Sequence, residues 1–220
     1  MRAVIFANGR IDNHAQVISQ LRPNDFLIAA DGGAERCKEI GIQPEIVIGD
    51  MDSISPQLKK ELESAGTKFV TFPEDKDQTD LELALSFVHQ KGANEIVLFG
   101  ILGGRLDMSL ANILLLAKDE WRNSSIYVID GPDIAFLLGE QDSITLEGVP
   151  GDIVSLIPLT DQVMGVSTQG LRWQLDDAVL LFGDTRSVSN EMLASSAEVK
   201  IEKGKLLLVH HTSLEGSKEE

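Results

Sequence analysis

The sequence predicts an α/β N-terminal domain with a mostly parallel sheet, followed by an all-β sandwich domain. Over residues 1–123 short apolar runs alternate with amphipathic segments of helical period, the texture of a sheet covered by helices. Over residues 124–220 the segments shorten, prolines and glycines punctuate them, and alternation of apolar and polar positions replaces helical spacing. The boundary is expected near Asn123 to Ser125.

In the first domain the apolar runs Ala3 to Ala7, Phe26 to Ala30, Glu45 to Ile48, Lys68 to Phe72, Glu95 to Phe99 and Ile126 to Ile129 read as strands. Helical patterns occupy Asp12 to Leu21, Gly33 to Ile40, Pro56 to Ala65, Leu81 to Gln90 and Leu106 to Trp121. Ser55 before Pro56 supplies an N-cap and a first-turn proline. Thr79 with Glu82 three residues on reads as a capping box. In the second domain, short strands are expected at Ile134 to Leu138, Ser143 to Leu146, Ile153 to Pro158, Gln162 to Ser167, Val179 to Phe182, Glu198 to Ile201 and Lys205 to His210, with a polar tail from Thr212.

Open parallel sheets bind ligands at the carboxyl ends of their strands, and here each such end carries a polar cluster. Asn8-Gly9, Asp31-Gly32-Gly33, Gly49-Asp50-Met51-Asp52-Ser53, Asp75 to Asp80 and Gly100 to Asp107 follow the strands in turn. Asp50 and Asp52 are two residues apart, so in extended chain their carboxylates face the same side. Like charges so close need a counter-charge, and a hard divalent cation that prefers oxygen is the natural one. Asp77 and Asp80 form a second acidic pair. In Gly100-Ile101-Leu102-Gly103-Gly104-Arg105-Leu106-Asp107 the glycines admit backbone amides close to an anion, the helix that follows favours negative charge, and Arg105 offers a fork for phosphate oxygens. Carboxylates beside a phosphate loop point to metal-assisted phosphoryl or pyrophosphoryl transfer.

Composition narrows the partners. A formal net charge of −16 and a pI near 4.6 speak against nucleic acid and anionic membranes. No apolar run reaches membrane-spanning length, and Met1 to Phe6 reads as a strand rather than a signal peptide. A single cysteine, Cys37, excludes an intramolecular disulfide and fits a reducing cytoplasm. His14, His89, His210 and His211 lie outside every motif and are assigned no catalytic role.

The ordered set Asp31-Gly32-Gly33, Gly49-Asp50-Met51-Asp52-Ser53, Lys76-Asp77-Gln78-Thr79-Asp80, Gly103-Gly104-Arg105-Leu106-Asp107, Gly170-Leu171-Arg172-Trp173 and Ser189-Asn190-Glu191 resembles the thiamine pyrophosphokinase family over nearly the whole chain. One position departs: Met108 stands where the family usually has histidine. The resemblance implies a homodimer with shared active sites that moves a pyrophosphoryl group from MgATP to the hydroxyl of thiamine, leaving AMP. It implies Asp50, Asp52 and Asp77 as Mg²⁺ ligands, with Asp80 and Asp31 around the reacting hydroxyl and phosphates. It puts Gly32, Gly103, Gly104, Arg105 and Asp107 on the nucleotide side with Asp31. Trp173, Ser189 and Asn190 would hold the thiamine rings from the β-domain of the partner subunit, and an aromatic face suits that cationic ligand. The proton of the attacking hydroxyl is expected on Asp80 or Asp77, a choice the sequence leaves open. Two other readings stand beside this one: a metal-dependent phosphohydrolase acting on a nucleotide-like substrate, and a nucleotide- or thiamine-binding module without turnover.

Overall fold

The computed structural model describes residues 1–213, so most of the polar tail expected from Thr212 lies outside the described residues. It divides into two compact units that meet at Gly131 and Pro132, not at 123/124 as expected. The later division has a plain cause. The strand at 125–130 pairs parallel with the strand at 95–99 and so belongs with the parallel strands of the first unit.

The first unit alternates β1 (Arg2–Phe6), α1 (His14–Gln20), β2 (Phe26–Ala30), α2 (Gly33–Ile40), β3 (Ile46–Gly49), α3 (Pro56–Ser64), β4 (Lys68–Thr71), α4 (Asp80–Gln90), β5 (Glu95–Phe99), α5 (Leu106–Leu115) and β6 (Ser125–Asp130). The strands lie side by side in the order β6-β5-β1-β2-β3-β4, every pair parallel. The chain steps outward from β1 to β4 and then crosses back to the other side of β1, so strand order reverses between β1 and β5. A crevice is expected at that switch point.

Burial explains why these runs are strands. Ile5, Phe6, Ile28, Ile48, Ile96 and Leu98 are fully buried, as sheet residues covered on both faces must be. Phe6 stacks on Phe99 with ring centroids 5.5 Å apart. Full burial of such a side chain contributes about 1.5–3 kcal/mol. Helices α2 and α4 pack on the sheet, α2 against β1 and β2, α4 against β1, β2 and β3. Their buried stripes are Ala34, Cys37 and Ile40, and Leu81, Leu85 and Val88. Gly33 allows α2 its close approach, because a Cβ there would strike the Phe6 carbonyl.

The helix expected over Leu106 to Trp121 stops at Leu115 and is followed by a single 3-10 turn, Asp119–Trp121. The fully buried Trp121 turns back and its Nε1 donates to the Leu115 carbonyl at 2.9 Å, satisfying one of the acceptors the ended helix leaves open. At the other caps, Ser55 Oγ accepts from the Leu58 amide and Thr79 Oγ1 from the Glu82 amide, each at 3.3 Å. The Thr79 box is one-sided, since the Glu82 carboxylate goes to Lys118 at 2.5 Å and to Gln78.

The second unit is antiparallel. Strands β7 (Asp133–Leu138), β8 (Ser143–Glu147), β9 (Ile153–Pro158), β10 (Gln162–Gln169), β11 (Ala178–Leu181), β12 (Asn190–Glu191), β13 (Ser196–Lys200) and β14 (Leu206–His211) form two layers, β12-β9-β14-β7 and β11-β10-β13-β8. Alternation is clear in β13, where Ala197 and Val199 are buried and their neighbours exposed. Leu138, Leu146, Val154, Leu156, Val163, Val166 and Leu208 belong to one core cluster. The two-residue β12 has no counterpart among the expected strands, being too short for alternation to register.

Candidate active site

A cleft of about 800 Å³ opens at the carboxyl ends of the parallel strands of the first unit. Its walls come from five strand ends: Ala7, Asn8 and Gly9 after β1, Asp31 and Gly32 after β2, Asp50 and Ser53 after β3, Lys76 and the run from Gln78 to Leu81 before and into α4, and Gly100, Ile101, Gly103, Gly104 and Arg105 after β5. Gly32, Thr79 and Arg105, the capping residues of α2, α4 and α5, all lie on this wall, so three helices begin at the cleft, and a helix N-terminus favours negative charge. Gly103 and Gly104 hold φ of +81° and +94°, conformations that residues with a Cβ rarely take.

Asp31, Asp50 and Asp52 each bring a carboxylate oxygen to within 4.8 Å of the others. The Asp50 and Asp52 pairing arises differently from the extended geometry expected. Met51 sits at φ +69°, and the turn lets the Asp52 amide donate to Asp50 Oδ1 at 3.3 Å. Ser53 Oγ donates to Asp52 Oδ1 at 2.8 Å, and Glu35 on α2 pins the loop by accepting from the Ser55 amide. Asp31 also lies in the left-handed region, at φ +42°. Its Oδ1 is buried without a hydrogen-bond partner. Burial raises the pKa of Asp31, the charges of Asp80 and Asp52 add to the rise, and the Ser53 hydroxyl and Gly32 amide only partly oppose it. A buried acceptor with nothing to accept, in an all-oxygen set, suits a hard divalent cation.

The counter-charge present is Lys76. Its ammonium lies 2.9 Å from Asp50 Oδ2 and 2.9 Å from Asp80 Oδ1, with 14% of the side chain exposed. The Lys76 hydrogen bond holds Asp50 below the usual carboxylate range, against the opposing effect of burial. For Lys76 burial acts downward, yet the bonds to Asp50 and Asp80 win and the pKa is raised.

Other expected residues are placed apart from this group. Asp77 is exposed and is neither in the acidic trio nor on the cleft wall. Arg105 reaches the wall, but its fork is closed on Asp107 through Nε at 3.1 Å and a terminal nitrogen at 2.5 Å. Met108 lines the cleft and gives it an apolar side chain.

In the second unit Trp173 is 59% exposed, unusual for so large an apolar surface. Asn190 clamps its main chain. Asn190 Oδ1 accepts from the Trp173 amide at 3.0 Å, and Nδ2 donates to the Trp173 carbonyl at 2.7 Å. The Arg172 guanidinium lies 5.2 Å from the Trp173 ring centroid and pairs with Glu191 at 2.9 Å. Ser189 is exposed at φ +60°, its amide bonded to Ser155 Oγ.

The family model described as "Thiamin pyrophosphokinase, catalytic domain" matches residues 15–129, and "Thiamin pyrophosphokinase, vitamin B1 binding domain" matches residues 141–206. The chain belongs to the thiamin pyrophosphokinase family. Thiamine pyrophosphokinase of Bacillus subtilis is 33% identical over 187 residues, covering 84% of this chain and 86% of its own. Thiamine pyrophosphokinase 1 of Oryza sativa subsp. japonica is 31% identical over 215 residues, covering 86% and 79%. Among solved structures, thiamine pyrophosphokinase from Bacillus subtilis superposes with a TM-score of 0.86 at 28% identity, over 97% of this chain and 100% of that one. The yeast thiamin pyrophosphokinase structure, at 18% identity and a TM-score of 0.76, covers 95% and 85% and shares the fold.

The motif carboxylates and the Gly103-Gly104 turn are legible in the sequence. Lys76 and Asn112 were not assigned. Asn112, on α5, is buried on the cleft wall and its Nδ2 holds the Ile101 carbonyl at 2.7 Å, fixing the start of the glycine turn. Its signal in the sequence was a polar residue between the apolar pairs Leu110-Ala111 and Ile113-Leu114. Among the described residues no helix is long and apolar enough to cross a membrane.

Proposed function

We propose that this chain transfers a pyrophosphoryl group from ATP to the hydroxyl of thiamine, giving thiamine diphosphate and AMP. The observation that carries the reading is the trio Asp31, Asp50 and Asp52, the first two on the wall of a glycine-lined cleft where three helices begin, in a chain of this family. Asp31, Asp50 and Asp52 would hold Mg²⁺, with Asp77 as a further ligand. Bound there, the metal would neutralise charge on the phosphate oxygens.

The residues divide the remaining work. Backbone amides of Gly103 and Gly104 and the α2 N-terminus, begun at Gly32, cradle phosphate oxygens, and Arg105 joins them when its fork leaves Asp107. The thiamine oxygen forms its bond to the β-phosphorus while the bond from that phosphorus to the α,β-bridging oxygen breaks, and AMP leaves with the electron pair. Asp80, on the cleft wall at the first turn of α4, takes the hydroxyl proton. Trp173 of the partner subunit offers its face to the cationic ring of thiamine, with Ser189 and Asn190 of the partner subunit beside it. The Arg172 stack supports this assignment, since the face already engages a cation. Asn190 acts by holding the Trp173 main chain in place. A homodimer with two composite sites follows, and placement in the cytoplasm rests on the single, buried cysteine.

One assay decides. Incubation with ATP, thiamine and Mg²⁺ should release AMP and thiamine diphosphate in equal amounts. Release of inorganic phosphate without thiamine diphosphate would restore the phosphohydrolase reading, and no turnover would restore the binding module. Neither alternative gains support from the family matches or relatives.

A further inference from the structure

The cleft holds a cation of its own. Four carboxylates, Asp31, Asp50, Asp52 and Asp80, stand around it or on its wall, and Lys76 is the ammonium set between two of them. Its position is not that of a surface ion pair. The side chains of Lys76 and Asp50 are each 14% exposed, so neither charge is well served by water if the other leaves. Lys76 also takes up Asp50 Oδ2, while the other oxygen of that carboxylate holds the Asp52 amide. A divalent cation arriving at Asp50 therefore meets a carboxylate already spent on an ammonium, and it meets the ammonium itself as a like charge.

A polyphosphate needs such a charge. Lys76 and Arg105 are the basic residues lining the cleft among the described residues, and Arg105 is closed on Asp107. Lys76 is carried by the irregular connection 72–79 rather than by a strand or helix, so its backbone is not locked in a ladder. An ammonium on a four-carbon stem can turn from one oxygen set to another without rebuilding the wall.

We propose that Lys76 is the resident counter-ion of the cleft: it holds Asp50 and Asp80 together in the ligand-free protein, yields Asp50 to the incoming cation, and passes to the nucleotide phosphates. Metal alone must displace Lys76 from Asp50 and leave the ammonium with Asp80 in place of two carboxylates, so it binds weakly. Metal with nucleotide supplies the second partner, so the two bind cooperatively. The same movement uncovers Asp80 when the hydroxyl proton must be accepted. Lys76 is thus a positioning residue acting through Asp50 and Asp80. The inference rests on the reading of ATP as substrate, and its test is separate from turnover.

The test is Mn²⁺ binding, followed by the electron paramagnetic resonance of free Mn²⁺, with and without α,β-methylene ATP, for wild type, Lys76→Met and Lys76→Arg. In wild type the analogue should tighten Mn²⁺ binding by about tenfold. Lys76→Met should bind Mn²⁺ alone several-fold more tightly than wild type and should gain little from the analogue. Lys76→Arg keeps the charge and should keep weak binding of Mn²⁺ alone. Equal affinity of wild type and Lys76→Met for Mn²⁺ alone, or an undiminished gain from the analogue in Lys76→Met, overturns the proposal. Should Lys76→Met fail to fold by circular dichroism, Lys76→Gln, which still donates to the carboxylates, is held to the same outcomes. An enzyme that makes thiamine diphosphate yet fails this binding test loses the counter-ion role alone. A protein that passes it without making thiamine diphosphate loses the proposed reaction alone.

Discussion

Asp31 shows how a single carboxylate can be costly to the fold and useful to the reaction. It is buried, sits at φ +42°, and leaves one oxygen without a hydrogen-bond partner. Burial raises its pKa above the ordinary 3.8. The contribution of the neutral form to stability is therefore full below that ordinary value and is lost as pH rises through the raised one. At neutral pH Asp31→Asn should thus melt about 2–4 °C higher than wild type without ligands, because asparagine tolerates the same backbone and carries no charge. The same variant should lose turnover, and a melting temperature at or below wild type would show that the charge is not strained. Asp80→Asn should lower kcat by about 10²–10⁴-fold with the melting curve unchanged, and a kcat near wild type would remove Asp80 from proton transfer. What the sequence made legible at this scale were the motif carboxylates, since like charges in register ask for an explanation. Lys76 stayed unassigned because an ammonium next to acids is ordinary until its two 2.9 Å distances are known.

Among elements, the parallel strands were plain in the sequence, and β2 and β5 span the expected residues. Buried strands need unbroken apolar runs, and such runs can be read directly. The end of α5 was not legible, because Leu115 and Trp121 meet through a side chain that doubles back. Nor was the tie between β9 and β14 in the second unit. Asp152, just before β9, is buried and accepts from the Val149 amide at 3.0 Å, the Ser213 amide at 2.8 Å and His210 Nε2 at 3.0 Å. Burial acts to raise its pKa, yet the Ser213 and Val149 amides and His210 together hold it below the ordinary 3.8. That stability is present above 3.8 and is lost as pH falls through the depressed value. Asp152→Ala should lose about 1–3 kcal/mol for each buried donor left unpaired, read by urea denaturation at pH 7. The gap from wild type should shrink in acid below that window, and a gap constant with pH would mean the carboxylate charge contributes nothing. At the sheet, Gly33→Ala should fail to fold or melt far below wild type, since its Cβ would meet backbone rather than a side chain that can give way.

At the scale of the whole molecule the two textures of the sequence, alternating αβ and short β, became two compact units, and the family matches fall one on each. The precise division was not legible, because β6 reads alike as the last parallel strand or the first of a sandwich. If the cleft of one subunit is completed by the partner, a protein dead at Asp52→Asn and another crippled at Asn190→Ala should complement each other. Random co-refolding makes half the dimers mixed, each with one wild-type site, so about a quarter of wild-type activity should return. Recovery no greater than the mean of the separate variants, with subunit exchange demonstrated, would rule out composite sites. Cys37 bears on such experiments in another way. It is the chain's single cysteine, fully enclosed beneath α2, with burial holding its thiol far from ionisation. A thiol in that state does not react readily with maleimides. A cysteine introduced by Gln78→Cys at the mouth of the cleft would therefore be the one place a dye attaches, and the native protein comes ready for single-site fluorescence without first being stripped of its own sulfur.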